Sequence, residues 1–176
     1  PSLAIGATND GPTVLEQTSA FTTFATGGEH VSPYLIETIT DKHGNVVYQH
    51  ESEATRVFSQ DTAYLTLDIL RDVITDGTGR SINNYLNFNA DWAGKTGTSE
   101  ANRDIWFIAS TPTVTLSSWM GYDNYKGEHV FYDPNNQGLP TGRNLNYWLQ
   151  IANKSYSINP GILGTDQTHQ RPEGIG

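Results

Sequence analysis

The stretch Asp91-Trp92-Ala93-Gly94-Lys95-Thr96-Gly97-Thr98-Ser99 constrains this chain more than any other. Its residues suit a short extended segment, and on such a segment side chains alternate between faces. Thr96 and Thr98 therefore share one face, while Lys95 and Gly97 lie on the other. Two hydroxyls on one face can hold both oxygens of a carboxylate, and the Lys95 ammonium at the adjoining rim adds charge complementarity. Gly97 removes the Cβ that would keep a second backbone at a distance. A strand edge also offers free N–H and C=O groups to an extended peptide. The segment is thus suited to bind a short peptide that ends in a carboxylate. The plain alternative is an ordinary surface strand with a solvated lysine, because a tripeptide motif recurs by chance.

The rest of the composition narrows the class. At 176 residues the chain is long enough for one domain with a core, or for part of a larger one. A net charge of -9, with only ten Lys and Arg, argues against a nucleic-acid surface. The basic residues are scattered, so no lipid-binding patch is expected. No apolar run reaches membrane-spanning length and no signal peptide is visible; the opening Pro1-Ser2-Leu3 reads as a cut. The absence of cysteine excludes disulfides, thiolate catalysis and Cys-based zinc sites. His30, His43, His50, His129 and His169 are dispersed, so packing or surface roles are the default, and neither metal nor cofactor is expected.

Local signals place the elements. Thr13-Val14-Leu15-Glu16 has capping-box spacing, and Gly27-Gly28 is a stop, which predicts a helix over 13–26. Residues 33–49 read as a hairpin turning at 41–45. Ser59 caps a second helix in which Tyr64, Leu67, Leu70 and Ile74 recur at helical spacing, ending at Asp76-Gly77. Residues 77–90 read as a loop, followed by strands over 92–98, 105–110 and 114–122. The short Thr111-Pro112-Thr113 link makes the last two an antiparallel pair. After a polar loop over 125–140, a helix over 144–156 turns Leu145, Trp148, Leu149 and Ala152 to a core. Residues 1–156 form one unit, and 157–176 a Gly/Pro-containing tail with little regular structure.

The flanks of the central motif add to its weight. Gly77-Thr78-Gly79-Arg80 precedes it; Asn102-Arg103-Asp104-Ile105-Trp106-Phe107, Thr111-Pro112 and Trp119-Met120-Gly121-Tyr122-Asp123 follow. Pro1-Ser2-Leu3-Ala4-Ile5-Gly6 and Phe24-Ala25-Thr26-Gly27-Gly28 stand at the front. In this order, with Lys95-Thr96-Gly97 as the K-T-G element of penicillin-binding proteins, the series resembles the C-terminal half of the transpeptidase domain of class A penicillin-binding proteins. These are the bifunctional glycosyltransferase/transpeptidases of bacterial cell-wall synthesis. The resemblance implies an α/β (α+β) fold of the penicillin-binding protein/β-lactamase type, an antiparallel sheet with helices on both faces. It implies that Lys95 orients and polarises the serine of an S-x-N element and helps anchor the substrate carboxylate, that Thr96 and Thr98 hydrogen-bond the carboxylate of D-Ala-D-Ala or of a β-lactam, and that Gly97 belongs to the same substrate-binding stretch. The Thr98 backbone N–H would be one of two oxyanion donors. It also implies residence on the extracytoplasmic face of the bacterial membrane, anchored through a segment not in this chain.

One departure from that pattern is plain. The four lysines, at 42, 95, 126 and 154, are preceded three positions earlier by Ile39, Trp92, Asp123 and Ile151. The S-x-x-K nucleophile is therefore absent. Ser81-Ile82-Asn83 and Ser157-Ile158-Asn159 match S-x-N but stand in the wrong part of the order. This chain alone is expected to be inactive, with a companion polypeptide supplying the S-x-x-K and S-x-N elements. A β-lactamase-type serine hydrolase of the same fold and a non-catalytic peptide-binding module are the alternatives. Gly94-Lys95-Thr96 as the end of a P-loop is set aside, since the required first glycine falls on Asn89. His50-Glu51 likewise lacks the second His of a zincin motif. Gly77-Thr78-Gly79-Arg80 reads as a tight turn with Arg80 structural, a substrate-cleft role being the alternative, and it stays outside the expected site.

Overall fold

The computed structural model describes residues 11–122, 131 and 140–175. The expected polar loop over 125–140, together with Lys126, His129 and the opening Pro1-Ser2-Leu3 segment, falls almost wholly outside them.

Helix α1 spans Val14–Ala25 and starts as its sequence requires. The Thr13 hydroxyl accepts from the Glu16 amide, and the Glu16 carboxylate accepts from the Thr13 amide at 2.8 Å. Gly27 and Gly28, at φ +68° and +93°, stop it in a conformation that L side chains resist. Strands β1 (Glu29–Val31) and β4 (Ala54–Arg56) then pair antiparallel, with Arg56 and Glu29 joined at 2.6 Å. Between them β2 (Thr38–Thr40) and β3 (Val46–Gln49) form the expected hairpin. Its turn is held by Asp41 Oδ1, which accepts from the amides of His43 and Asn45. The outer β1–β4 pair was not legible in the sequence, because three-residue strands are too short to show a period of two.

Helix α2, Gln60–Thr75, is capped by Ser59 and buries Ala63, Leu67, Leu70 and Ile74. Of the four residues expected on its inner face, Tyr64 is only partly buried, and Ala63 takes its place. The expected loop over 77–90 contains a 3-10 turn, Arg80–Asn84, which buries Ile82. Strands β5 (Ala93–Thr98), β6 (Asp104–Ser110) and β7 (Thr115–Gly121) form one antiparallel sheet in sequence order. Helix α3 spans Pro140–Ile158, longer at both ends than the expected 144–156, and buries Leu145, Trp148, Leu149 and Ala152.

Helices cover both faces of that sheet. On one face Trp148 meets Phe107 and Trp92 edge-on, at centroid separations of 5.0 and 4.9 Å, and its indole N–H donates to the Leu116 carbonyl. The fully buried Asn144 donates to the carbonyls of Ile105 and Ser118, stitching the start of α3 to β6 and β7. On the other face Phe21 and Phe24 of α1 pack with Leu67, Leu70 and Ala93, and Thr18 shares a 2.6 Å hydrogen bond with Ser117.

The 156/157 boundary expected from composition lies inside α3. Beyond α3 the tail holds a single short 3-10 turn, Pro160–Leu163, among the described residues. It is nonetheless packed: Leu163 is buried in the main core and His169 is buried against Asp91 and Ser110.

Candidate functional site: the exposed edge strand

Strand β5 changes character along its length. Ala93 and Gly94 are buried, Lys95 is exposed, Thr96 and Gly97 are half-buried, and Thr98 is exposed. The cause is packing at its first two residues. A Cβ on Gly94 would come within 2.8 Å of both the Ala109 Cβ and the Ile108 carbonyl, and within 3.1 Å of Ile74 on α2. Glycine therefore lets α2 and β6 close on the start of the strand. Lys95 to Thr98 continue past this crowding, and among the described residues β6 is their one strand partner, which leaves the opposite edge unpaired within the described sheet.

The register places the expected site residues in two sets. Thr96 and Thr98 stand opposite Phe107 and Ile105, and Lys95 and Gly97 opposite Ile108 and Trp106. The two hydroxyls thus share the α3 face and the ammonium lies on the other side, as alternation demands. Each hydroxyl also has a partner from elsewhere. Thr96 Oγ1 lies 2.6 Å from Thr78 Oγ1, and Thr98 Oγ1 lies 3.3 Å from Thr141 Oγ1 in the first turn of α3. The Lys95 ammonium donates to the Thr96 carbonyl at 2.7 Å and forms no ion pair among the described residues. A Cβ on Gly97 would meet the Trp106 Cβ at 3.3 Å, so the strand face there is low but not sealed.

Among the described residues this is a strand face rather than an enclosed cleft. Two concavities, of about 570 and 590 Å³, lie elsewhere. The first is lined by α1, α2 and tail residues including Phe24, Tyr64, Leu67 and His169, and the second by α1 residues with His30, Val57 and Phe58.

Other residues weighed in the sequence have structural places. The Asp104 carboxylate accepts from the Trp119 indole, and its amide donates to Ser99 Oγ. This clasp, with the Ser99 amide donating to the Asp104 carbonyl, closes the β5–β6 turn. Asn83 of the first S-x-N match donates to the Ile74 carbonyl and caps α2, and Ser157 of the second donates to Lys154 within its own helix. Neither is engaged with the Lys95 strand through these bonds. Among the described residues no group of His and acidic side chains could hold a metal ion.

Two features escaped the sequence reading. One is the meeting of Thr78 with Thr96: the turn that carries Thr78 was weighed for a cleft role but kept outside the expected site. The other is a partly buried ionic cluster at the foot of β5. Arg71 grips Asp91 through Nε–Oδ1 at 2.8 Å and Nη2–Oδ2 at 2.5 Å, and the His169 amide donates to Asp91 at 2.7 Å. Burial pushes the Asp91 carboxyl up, but hydrogen bonds from Arg71 and the His169 amide outweigh it and hold it below the usual range. Burial likewise pushes the His169 imidazole down, against the attraction of Asp91. Nothing in the local pattern marks these three residues, which are far apart in the chain.

Comparison with known proteins agrees with the geometry. The family model described as the penicillin binding protein transpeptidase domain matches residues 2–145. Penicillin-binding protein 1F of Bacillus subtilis is 36% identical over 134 residues, covering 73% of this chain and 18% of that protein. Penicillin-binding protein 1B of Escherichia coli is 35% identical over 125 residues, covering 70% of this chain and 14% of that protein. The chain thus spans less than a fifth of the length of these two relatives. Among solved structures, penicillin-binding protein 1A of Haemophilus influenzae superposes with a TM-score of 0.68 at 20% identity, over 85% of this chain and 27% of that one, which speaks to the fold. The mixed helix and antiparallel-sheet architecture, and the sequence match that carries the Lys95 strand within it, make this chain a member of the penicillin-binding protein transpeptidase family, corresponding to part of that domain.

Proposed function

We propose that this chain contributes the carboxylate-binding strand to a peptidoglycan D,D-transpeptidase, and that β-lactams occupy the same strand as substrate mimics. The observation that carries this reading is the edge position of Lys95-Thr96-Gly97-Thr98 inside the family-matched segment. The hydroxyls of Thr96 and Thr98 and the Lys95 ammonium receive the terminal carboxylate of a stem peptide ending in D-Ala-D-Ala. The peptide lies along the free edge, with Gly97 letting its backbone approach. A serine attacks the penultimate D-Ala carbonyl, the C–N bond to the last residue breaks, and that residue leaves with a proton on its amine. The Thr98 N–H serves as an oxyanion donor, a contact whose loss typically costs about 2.7–4 kcal/mol. An amine from a neighbouring stem peptide then displaces the serine and forms the cross-link.

The serine and its Lys lie outside these 176 residues, since no S-x-x-K occurs among them. The chain by itself is then inactive. Two structures of similar fold, penicillin-binding protein A of Mycobacterium tuberculosis in its imipenem and ceftriaxone acyl-enzyme complexes, carry β-lactams, which favours the same ligand class here. Placement outside the cytoplasmic membrane follows from the substrate. Among the described residues no helix is long and apolar enough to cross a membrane; on this reading the anchor lies in a segment outside this chain.

The test is Lys95→Ala in the complete transpeptidase domain. Acylation by penicillin should slow by about a hundredfold or more, by analogy with loss of a group acting in the transition state, while the thermal midpoint stays unchanged. Unaltered acylation removes Lys95 from the mechanism. A long-lived penicillin adduct supports transpeptidation over hydrolysis, and rapid release of the opened drug favours the hydrolase.

A further inference from the structure

We propose that Thr78 is a positioning residue for the carboxylate clamp, fixing the direction in which the Thr96 hydroxyl donates. The proposal rests on the clamp reading above and adds a residue from outside the strand to it. The two hydroxyl oxygens lie 2.6 Å apart, so one of them donates to the other. In the free protein either can be the donor. A bound carboxylate has no hydrogen to give, so Thr96 must donate its single hydrogen to the ligand. Its oxygen is then left to accept, and Thr78 supplies the donor. The result is a directed chain, from Thr78 to Thr96 to the carboxylate, in which each bond polarises the next.

The backbone around Thr78 is built to hold it there. The Gly77 amide donates to the Asp72 carbonyl at 2.8 Å and the Gly79 amide to Val73 at 2.9 Å, closing the C-terminus of α2. A Cβ on Gly77 would come within 2.6 Å of the Val73 Cα, so glycine is required for that closure. Asn83 ties the same end through the Ile74 carbonyl, and Ile74 packs at the position where Gly94 lacks a Cβ. Thr78 is therefore mounted on the helix end that seats β5, 18 residues before its partner in sequence. The side chain itself is exposed, which leaves it no evident packing role.

The experiment compares Thr78→Val, Thr78→Ser, Thr96→Val and the double valine variant in the complete transpeptidase domain. Acylation rates are measured against concentration for a thioester peptide ending in a carboxylate and for its carboxamide analogue. Thr78→Val should weaken apparent binding of the carboxylate ligand by about five- to tenfold, with the limiting acylation rate nearly unchanged. Thr78→Ser should restore it. The double variant should be no worse than Thr96→Val, because the two hydroxyls act as one chain. The carboxamide brings its own donors, so with it Thr78→Val should have little effect. If Thr96→Val weakens the carboxylate ligand and Thr78→Val does not, the relay is overturned and the clamp stands. If Thr96→Val has no effect on the carboxylate ligand, the clamp and the relay fall together. Equal losses for carboxylate and carboxamide, with a lowered thermal midpoint, would make Thr78 a purely structural residue and overturn the proposal.

Discussion

Arg71 of α2 and Asp91 at the foot of β5 face each other in a two-bond pairing, at 2.8 and 2.5 Å, with side chains only 22% and 17% exposed. A fork-to-fork arrangement of this kind fixes orientation as well as proximity. It anchors the strand where it emerges from the core, four residues before Lys95. Replacing Arg71 with Met removes both bonds and leaves the carboxylate largely out of water, with the His169 amide as its remaining donor in the cluster. The domain should lose about 2–4 kcal/mol, somewhat below the range for a fully buried pair because this one is partly exposed. Urea unfolding measures this directly, and a loss below about 0.5 kcal/mol, as expected of an exposed pair, would show that the pairing is decorative.

Acid should loosen the same region. The folded-state pKa of His169 lies below its ordinary value of 6.5 because burial opposes the charged ring. The unfolded chain therefore binds the proton more readily, and the stability this confers is full above 6.5 and declines as pH falls through the lower folded value. Asp91 acts in the same direction further down, below its ordinary 3.8. His169→Gln keeps the backbone bond to Asp91 but removes the titration. Unfolding free energies at about pH 7.5 and about pH 5.5 should differ less in this variant than in the parent. An identical pH dependence would assign the acid sensitivity to other groups.

The two glycines of β5 should respond in opposite ways. Gly94→Ala drives a Cβ into the Ala109 side chain and the Ile108 carbonyl, at 2.8 Å each, and neither can retreat without moving β6. Such overpacking typically costs about 1–3 kcal/mol. Gly97→Ala meets only the Trp106 Cβ at 3.3 Å, which a few tenths of an ångström relieve. Its stability should stay within about 0.5 kcal/mol of the parent, whereas acylation by penicillin should fall because the ligand approaches that face. Thermal melts paired with acylation rates separate the two, and a Gly97→Ala domain that melts early but reacts normally would reverse their assignment.

The sequence by itself determined where the helices start and how β5 presents its side chains. Thr13 with Glu16, and Ser59 with Thr62, act within a single turn, and the Lys95–Thr98 alternation needs only an extended backbone. The strand and its alternation were legible for that reason, as were the inner faces of α2 and α3, apart from Ala63 in place of Tyr64. Tertiary structure decided which groups meet across the chain. Thr78 reaches Thr96 over 18 residues, Arg71 reaches Asp91 over 20, and the His169 amide reaches Asp91 over 78. No periodicity encodes such meetings, because they arise from helices closing on a sheet and a tail folding back behind it. Hence the strand proposed as the clamp was visible in the letters, while the Thr78 hydroxyl beside it and the Arg71–Asp91 pair at its foot appeared only once the chain was folded.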